Sequence, residues 1–244
     1  MQRRGRSAYA AELIGTFLLV LFIALVVTVN SDGGLGYTDV AVVGLLQAFV
    51  LMMVTATIGG ASGAHVNPAV TLALAALRRI APADAAIYVV MQVAGAVLAV
   101  LVVELLIQDG SADAVNLGAP AVSENFLDGS AGAGLLGEAL GTFALMWAYM
   151  GVAVNPAAAR ESAPLVIGAT LGLAVFALGP MTGGSFNPAR AFGPALISGG
   201  FGDGGTFLLA YVVGPLAGAL AAAFAYQATI LREHPSEDSA DRLV

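Results

Sequence analysis

Apolar residues in this chain neither alternate with polar ones nor keep to one helical face. They run in six long blocks, at about residues 8–29, 39–60, 83–107, 131–153, 164–182 and 206–230. Each block is near the roughly 20 residues a helix needs to cross a ~30 Å hydrocarbon layer. The pattern predicts an all-α membrane protein with six transmembrane helices. The first block outruns the ~7–15-residue apolar core of a signal peptide, and no clean small-residue cleavage site follows it, so it reads as a retained helix.

Composition agrees with the blocks. The 244 residues are 59% hydrophobic and 10% charged, with a mean hydropathy of +0.89. A soluble domain needs roughly 25% charged residues to cover its surface, so most of this surface faces lipid. The chain has no cysteine, which excludes disulfides, thiolate metal sites and thiol nucleophiles. A net charge of -7 argues against a nucleic-acid partner.

The placement of charge orients the spans. All nine basic residues are arginine, at 3, 4, 6, 78, 79, 160, 190, 232 and 242. With both termini cytoplasmic, every one but Arg190 falls on the cytoplasmic side, in the N-terminus, two loops and the tail. Asp32, Asp39, Asp109, Asp113, Glu124, Asp128 and Asp203 fall on the other side. The expected location is the cell membrane, plasma or inner.

The two halves repeat. "AELIGTFLLVLF" at 11–22 aligns with "GEALGTFALMWA" at 137–148, placing Glu12 opposite Glu138, and "SGAHVNPAV" at 62–70 aligns with "TGGSFNPAR" at 182–190. Three spans per half is an odd number, so the second half enters the membrane upside down. The chain therefore reads as one transmembrane domain over 1–244, with inverted repeats at about 8–107 and 131–230 and a cytoplasmic tail at 231–244.

Asn-Pro-Ala occurs three times, but only two copies obey the repeat. Asn67 and Asn187 follow the paired glutamates by 55 and 49 residues, whereas Asn155 follows Glu138 by 17. The third copy reads as a helix stop at the end of the fourth span. After each repeated copy comes a short apolar segment, 67–77 and 187–197, about half a membrane long as helix. Asn67 and Asn187 suit the N-cap, and Pro68 and Pro188 the first turn, where a missing N–H costs nothing. Two re-entrant half-helices meeting by their N-termini would put two positive dipole ends and two amide donors at mid-membrane. The glycine-containing stretches leading into them should line a path, since irregular backbone survives at that depth only in protein or beside water.

These residues closely resemble the aquaporin and glycerol facilitator family, the major intrinsic proteins, over nearly the whole chain. "SAPLVIG" at 162–168 adds to the likeness. The resemblance implies a passive channel for water and small uncharged solutes that excludes protons and ions, needs no cofactor or metal, catalyses nothing and assembles as a homotetramer. Its pore motifs would be Asn67, Pro68 and Ala69 with Asn187, Pro188 and Ala189. Gly95, Ala96, Gly214 and Gly218 would allow close helix packing.

By the same resemblance, Arg190 would repel cations at the narrowest point, together with Gln47, Val175 and Gly184. Water-selective members typically carry Phe and His where this chain has Gln47 and Val175, which leaves a wider, more flexible opening here. Ala191 stands where glycerol facilitators commonly carry Asp, so the selectivity signals conflict, and an aquaglyceroporin for glycerol, urea or neutral metalloid acids is the alternative. Glu12 and Glu138 are either acceptors for the loop backbone or proton relays, and His65 is either a wall residue or a pH gate. A secondary transporter would want an ionisable midplane pair, whereas asparagines stand there. An enzyme would want a hydrolase or metalloprotease motif, and none is present.

Overall fold

The computed structural model describes residues 5–29, 37–107 and 115–231. The charges at Arg3, Arg4, Asp32, Asp109, Asp113, Arg232 and Arg242 lie outside those residues, as do the side chain of Asp39 and the tail beyond Leu231.

Among the described residues there are six helices long and apolar enough to cross a membrane. These are α1 (Arg6–Val29), α2 (Tyr37–Ser62), α4 (Pro82–Leu106), α5 (Ala131–Val154), α6 (Ala163–Thr182) and α8 (Gly204–Leu231). Two short helices, α3 (Pro68–Ala76) and α7 (Pro188–Ser198), sit between them. At ~1.5 Å per residue each is near half a membrane in length.

The last span starts earlier than the apolar block suggested. Asp203 accepts the Thr206 N–H at 2.9 Å and caps a glycine-rich first turn that hydropathy alone does not register. The interior is mainly apolar, as in a soluble protein, but the surface is apolar too. Leu105 and Leu173 are 71% and 69% exposed, while Glu12, Gln92, Glu138 and Thr182 are at 0%. Apolar surface faces lipid, and polar groups turn inward to partners.

Small residues set the helix spacing. A methyl added at Gly95 of α4 would strike the Leu13 carbonyl of α1, and one at Gly218 of α8 would strike the Ala139 carbonyl of α5. These glycines therefore close contacts within one chain, α1 on α4 and α5 on α8. Gly44 and Gly172 face each other where α2 meets α6: a methyl on either would lie 3.0 Å or 2.8 Å from the other's carbonyl oxygen. That reciprocal contact packs α2 closely against α6.

Candidate pore through the inverted half-helices

Asn67 and Asn187 have extended backbone and cap the half-helices they precede. Asn67 Oδ1 accepts the Ala69 N–H at 2.9 Å, and Asn187 Oδ1 accepts those of Ala189 at 3.0 Å and Arg190 at 3.4 Å. Their amide nitrogens cross over: Asn67 Nδ2 donates to the Phe186 carbonyl and Asn187 Nδ2 to the Val66 carbonyl, both at 2.8 Å. Each side chain thus starts its own helix and ties down the residue before the other.

Those two residues need tying down. Val66 and Phe186 have φ of 41° and 51°, a left-handed conformation that is an outlier for a β-branched or bulky side chain and costs about 1–3 kcal/mol. The glutamates hold them. Glu12 accepts the His65 and Val66 N–H groups at 2.9 and 2.7 Å, and Glu138 accepts those of Ser185 and Phe186 at 3.0 and 2.6 Å. Tyr88 and Tyr211 repeat the pattern one layer out, donating to the Ser62 and Thr182 carbonyls at 2.9 and 2.8 Å. A methyl at Gly141 would collide with the Phe186 ring, so the Gly-Thr-Phe after each glutamate leaves room for the loop that the glutamate holds.

A file of spaces runs past these groups. One vestibule is lined by Arg79, Arg160, Glu161 and Gly63 and shares His65, Tyr149 and Ile167 with a central cavity. The cavity holds Gln47, Asn67, Ser185 and Asn187 and shares Arg190 with a second vestibule lined by Val175, Gly118 and Gly183. Space open to the centre of a water-sized sphere is about 700 Å³ and 280 Å³ in the vestibules and about 20 Å³ in the cavity. The middle is therefore far narrower than either mouth.

Arg190 is buried one turn into α7. Its Nη1 donates to the Gly118 carbonyl at 2.8 Å, a backbone acceptor rather than a carboxylate, and its Nε has no partner among the described residues. Gln47, which lines the same cavity, has an Oε1 with no partner among the described residues. Gln47 and Val175 thus line the spaces on either side of Arg190. Gly184 stands beside Val175, where an added methyl would lie 3.4 Å from its Cγ2.

His65 lies between the rings of Tyr88 and Tyr149, 5.1 and 5.9 Å away by centroid, with Nδ1 at 3.1 Å from Thr71 Oγ1. Asn155 takes no part in the paired half-helix contacts and is not among the residues lining the cavity. It follows the π-helical turn Met150–Val154 that ends α5, accepts the Ala157 N–H at 3.0 Å, donates to Tyr226 Oη at 3.1 Å, and no helix follows it. Several supporting groups were not singled out from sequence: Gln92, Thr71, Tyr88, Tyr149 and the Gly118 carbonyl. Gln92 carried a signal, as a lone amide inside an apolar span. The Gly118 carbonyl carried none, because a backbone acceptor has no residue type.

An inverted pair of half-helices, a narrow central cavity between two wider spaces and a buried arginine lining the passage define a transmembrane channel. The description "Major intrinsic protein" matches residues 3–226, and the chain belongs to that family. It is 38% identical over 237 residues to a probable aquaporin AqpM of Archaeoglobus fulgidus, covering 89% of this chain and 94% of that one. It is 36% identical over 216 residues to a glycerol uptake facilitator protein-like 6 of Lactiplantibacillus plantarum, covering 88% and 94%. An X-ray structure of the aquaglyceroporin from Plasmodium falciparum superposes with a TM-score of 0.77 over 93% of this chain and 97% of that one, at 20% identity, and so shares the fold. The protein is a passive membrane channel for water and small neutral solutes, and not an enzyme.

Proposed function

We propose that the channel conducts water together with small uncharged solutes bearing hydroxyl or amide groups, such as glycerol and urea, and excludes protons and ions. The observation that carries this reading is the pair of unsatisfied groups at the throat. Arg190 Nε is a donor and Gln47 Oε1 an acceptor, both buried, without partners among the described residues, and carried by residues that line one cavity. A buried polar group without a partner costs about 1–3 kcal/mol, so a small rotation of either side chain toward the cavity lets a neutral solute with both donor and acceptor offset that cost. A cation would meet the guanidinium and two half-helix N-termini, all positive.

The carboxylates Glu12 and Glu138 face loop backbone rather than the cavity, and the midplane groups are asparagines, which supports a passive pore over an ion-coupled carrier. Asn67, Pro68 and Ala69 with Asn187, Pro188 and Ala189 form the mid-membrane level, and Gln47, Val175, Gly184 and Arg190 the size filter. His65 is a wall residue of the first vestibule. Arg79 and Arg160 share that vestibule, which supports a cytoplasmic first mouth and cytoplasmic termini in a cell membrane. The whole chain acts as one domain. An exposed apolar groove between α1 and α2, lined by Phe22, Leu45, Phe49 and Met53, suits packing of copies into a homotetramer with one pore each.

Stopped-flow measurements on proteoliposomes test the reading. Water, glycerol and urea permeabilities should rise with a low activation energy. Uptake that collapses when a proton or sodium gradient is dissipated would show a coupled carrier instead.

A further inference from the structure

The glycines of this chain divide by what an added methyl would meet. At Gly95, Gly141 and Gly218 it would strike a neighbouring backbone or ring, so packing accounts for them. Gly59 and Gly60 on α2 are different. A methyl on either would meet nothing within 4 Å outside the helix's own turn, and neither has a positive φ. Glycine in a helix is less favourable than alanine, so the pair lowers stability with no packing contact or turn to require it. The second-half counterpart of Gly59 is Gly179, which precedes Pro180, and proline restricts the residue before it, so a backbone reason exists there.

Thr55, Ala56, Gly59 and Gly60 share one face of α2 and border the first vestibule, the space of about 700 Å³ that leads to the central cavity. Side chains on a helix lean back over the preceding turn, so one at 59 would cover Thr55 and one at 60 would cover Ala56. Thr55 is the polar group this leaves uncovered. It is 7% exposed, and its Oγ1 is buried with no partner among the described residues. Threonine in a helix has two accessible rotamers, so the hydroxyl can turn toward the vestibule. From this we infer that Thr55 is a specificity-determining residue of the first mouth, a hydroxyl contact for solutes bearing hydroxyl or amide groups, and that Gly59 and Gly60 keep it uncovered.

The inference deepens the channel reading and rests on it. A water molecule finds water partners throughout a vestibule of that size. Glycerol or urea must shed several waters together before entering a cavity of about 20 Å³, and a side-chain hydroxyl that both donates and accepts offsets part of that loss. Thr55 therefore acts on solutes more than on water. In the folded protein alone its unpartnered hydroxyl is a cost, one that valine of the same shape would not carry.

Thermal unfolding in detergent and stopped-flow permeability of proteoliposomes to water, urea and glycerol test it together. Thr55→Val and Gly59→Ala should melt at or above the wild type, and Gly59→Ala should keep its flux. Thr55→Val and Gly59→Leu should each lower the glycerol-to-water permeability ratio several-fold, the first by removing the hydroxyl and the second by covering it. Thr55→Ser, which retains the hydroxyl, should keep the wild-type ratio. An unchanged ratio in either Thr55→Val or Gly59→Leu would overturn the inference. So would a Gly59→Ala protein that melts below the wild type, because glycine would then be required by the fold. A wild type that conducts water but neither glycerol nor urea would overturn it while leaving the channel reading intact, whereas a wild type without water flux would refute both.

Discussion

Asn67 and Asn187 are linked through each other's loops: each donates at 2.8 Å to the carbonyl of the residue that precedes its counterpart. Neither half can complete its mid-membrane turn alone. The strained backbone at Val66 and Phe186 is held from one side by a glutamate and from the other by the opposite asparagine. Such backbone persists only where its surroundings over-determine it.

Asn67→Ala and Asn187→Ala should therefore each lose more than a cap. Removal of the N-cap costs about 1 kcal/mol, and the carbonyl left without a donor about 1–3 kcal/mol more. Thermal unfolding in detergent should show both variants clearly destabilised, with water permeability reduced. Asn155→Ala loses a local turn and a bond to Tyr226 at a partly exposed helix end, and should leave permeability unchanged. Equal damage from all three would contradict the inverted-repeat alignment.

What could be read from sequence was whatever repeats by residue type. Span number follows from apolar length, and the half-helices follow from Asn-Pro placed at comparable distances, 55 and 49 residues, from Glu12 and Glu138. The functional weight of those glutamates was left open, because sequence spacing does not say whether a carboxylate faces backbone or a cavity. The acceptor for Arg190 was invisible, since any residue at 118 presents a carbonyl. The π-helical turns at Met150–Val154, Leu209–Val213 and Gln227–Leu231 were equally hidden, because a one-residue bulge leaves hydropathy unchanged.

Glu138→Gln separates the anchor role from a proton relay. Glu138 accepts from Thr182 Oγ1 at 2.7 Å and from two backbone N–H groups. An amide turns one acceptor into a donor facing another donor, a cost of about 1–3 kcal/mol or more. The melting temperature should fall, and water flux per folded channel should be largely kept. A relay would give the opposite result, with stability retained and transport lost.

Arg190→Ala removes the fixed charge at the throat while the half-helix dipoles remain. Proton or small-cation leak should rise, as read by a pH-sensitive dye trapped in vesicles. Gly118 also loses its partner, so a folding control on the same preparation is part of the measurement. An unchanged leak in well-folded protein would assign ion exclusion to the asparagine level alone.

Gln47 and Val175 line the spaces on either side of Arg190, so substituting both should reset the size limit. Phe at 47 adds a rigid ring beside a cavity of about 20 Å³ and removes the free Oε1 acceptor. His at 175 adds a hydrogen-bonding wall facing the guanidinium, and Gly184 beside it leaves room for an imidazole. In Gln47→Phe/Val175→His, glycerol and urea permeability should fall at least tenfold, a barrier increase of about 1.4 kcal/mol, while water flux changes less. Each single variant should act in the same direction with smaller effect. A wild type that passes water rapidly but neither glycerol nor urea would show that the pore is closed to them by something other than the side chains at 47, 175, 184 and 190.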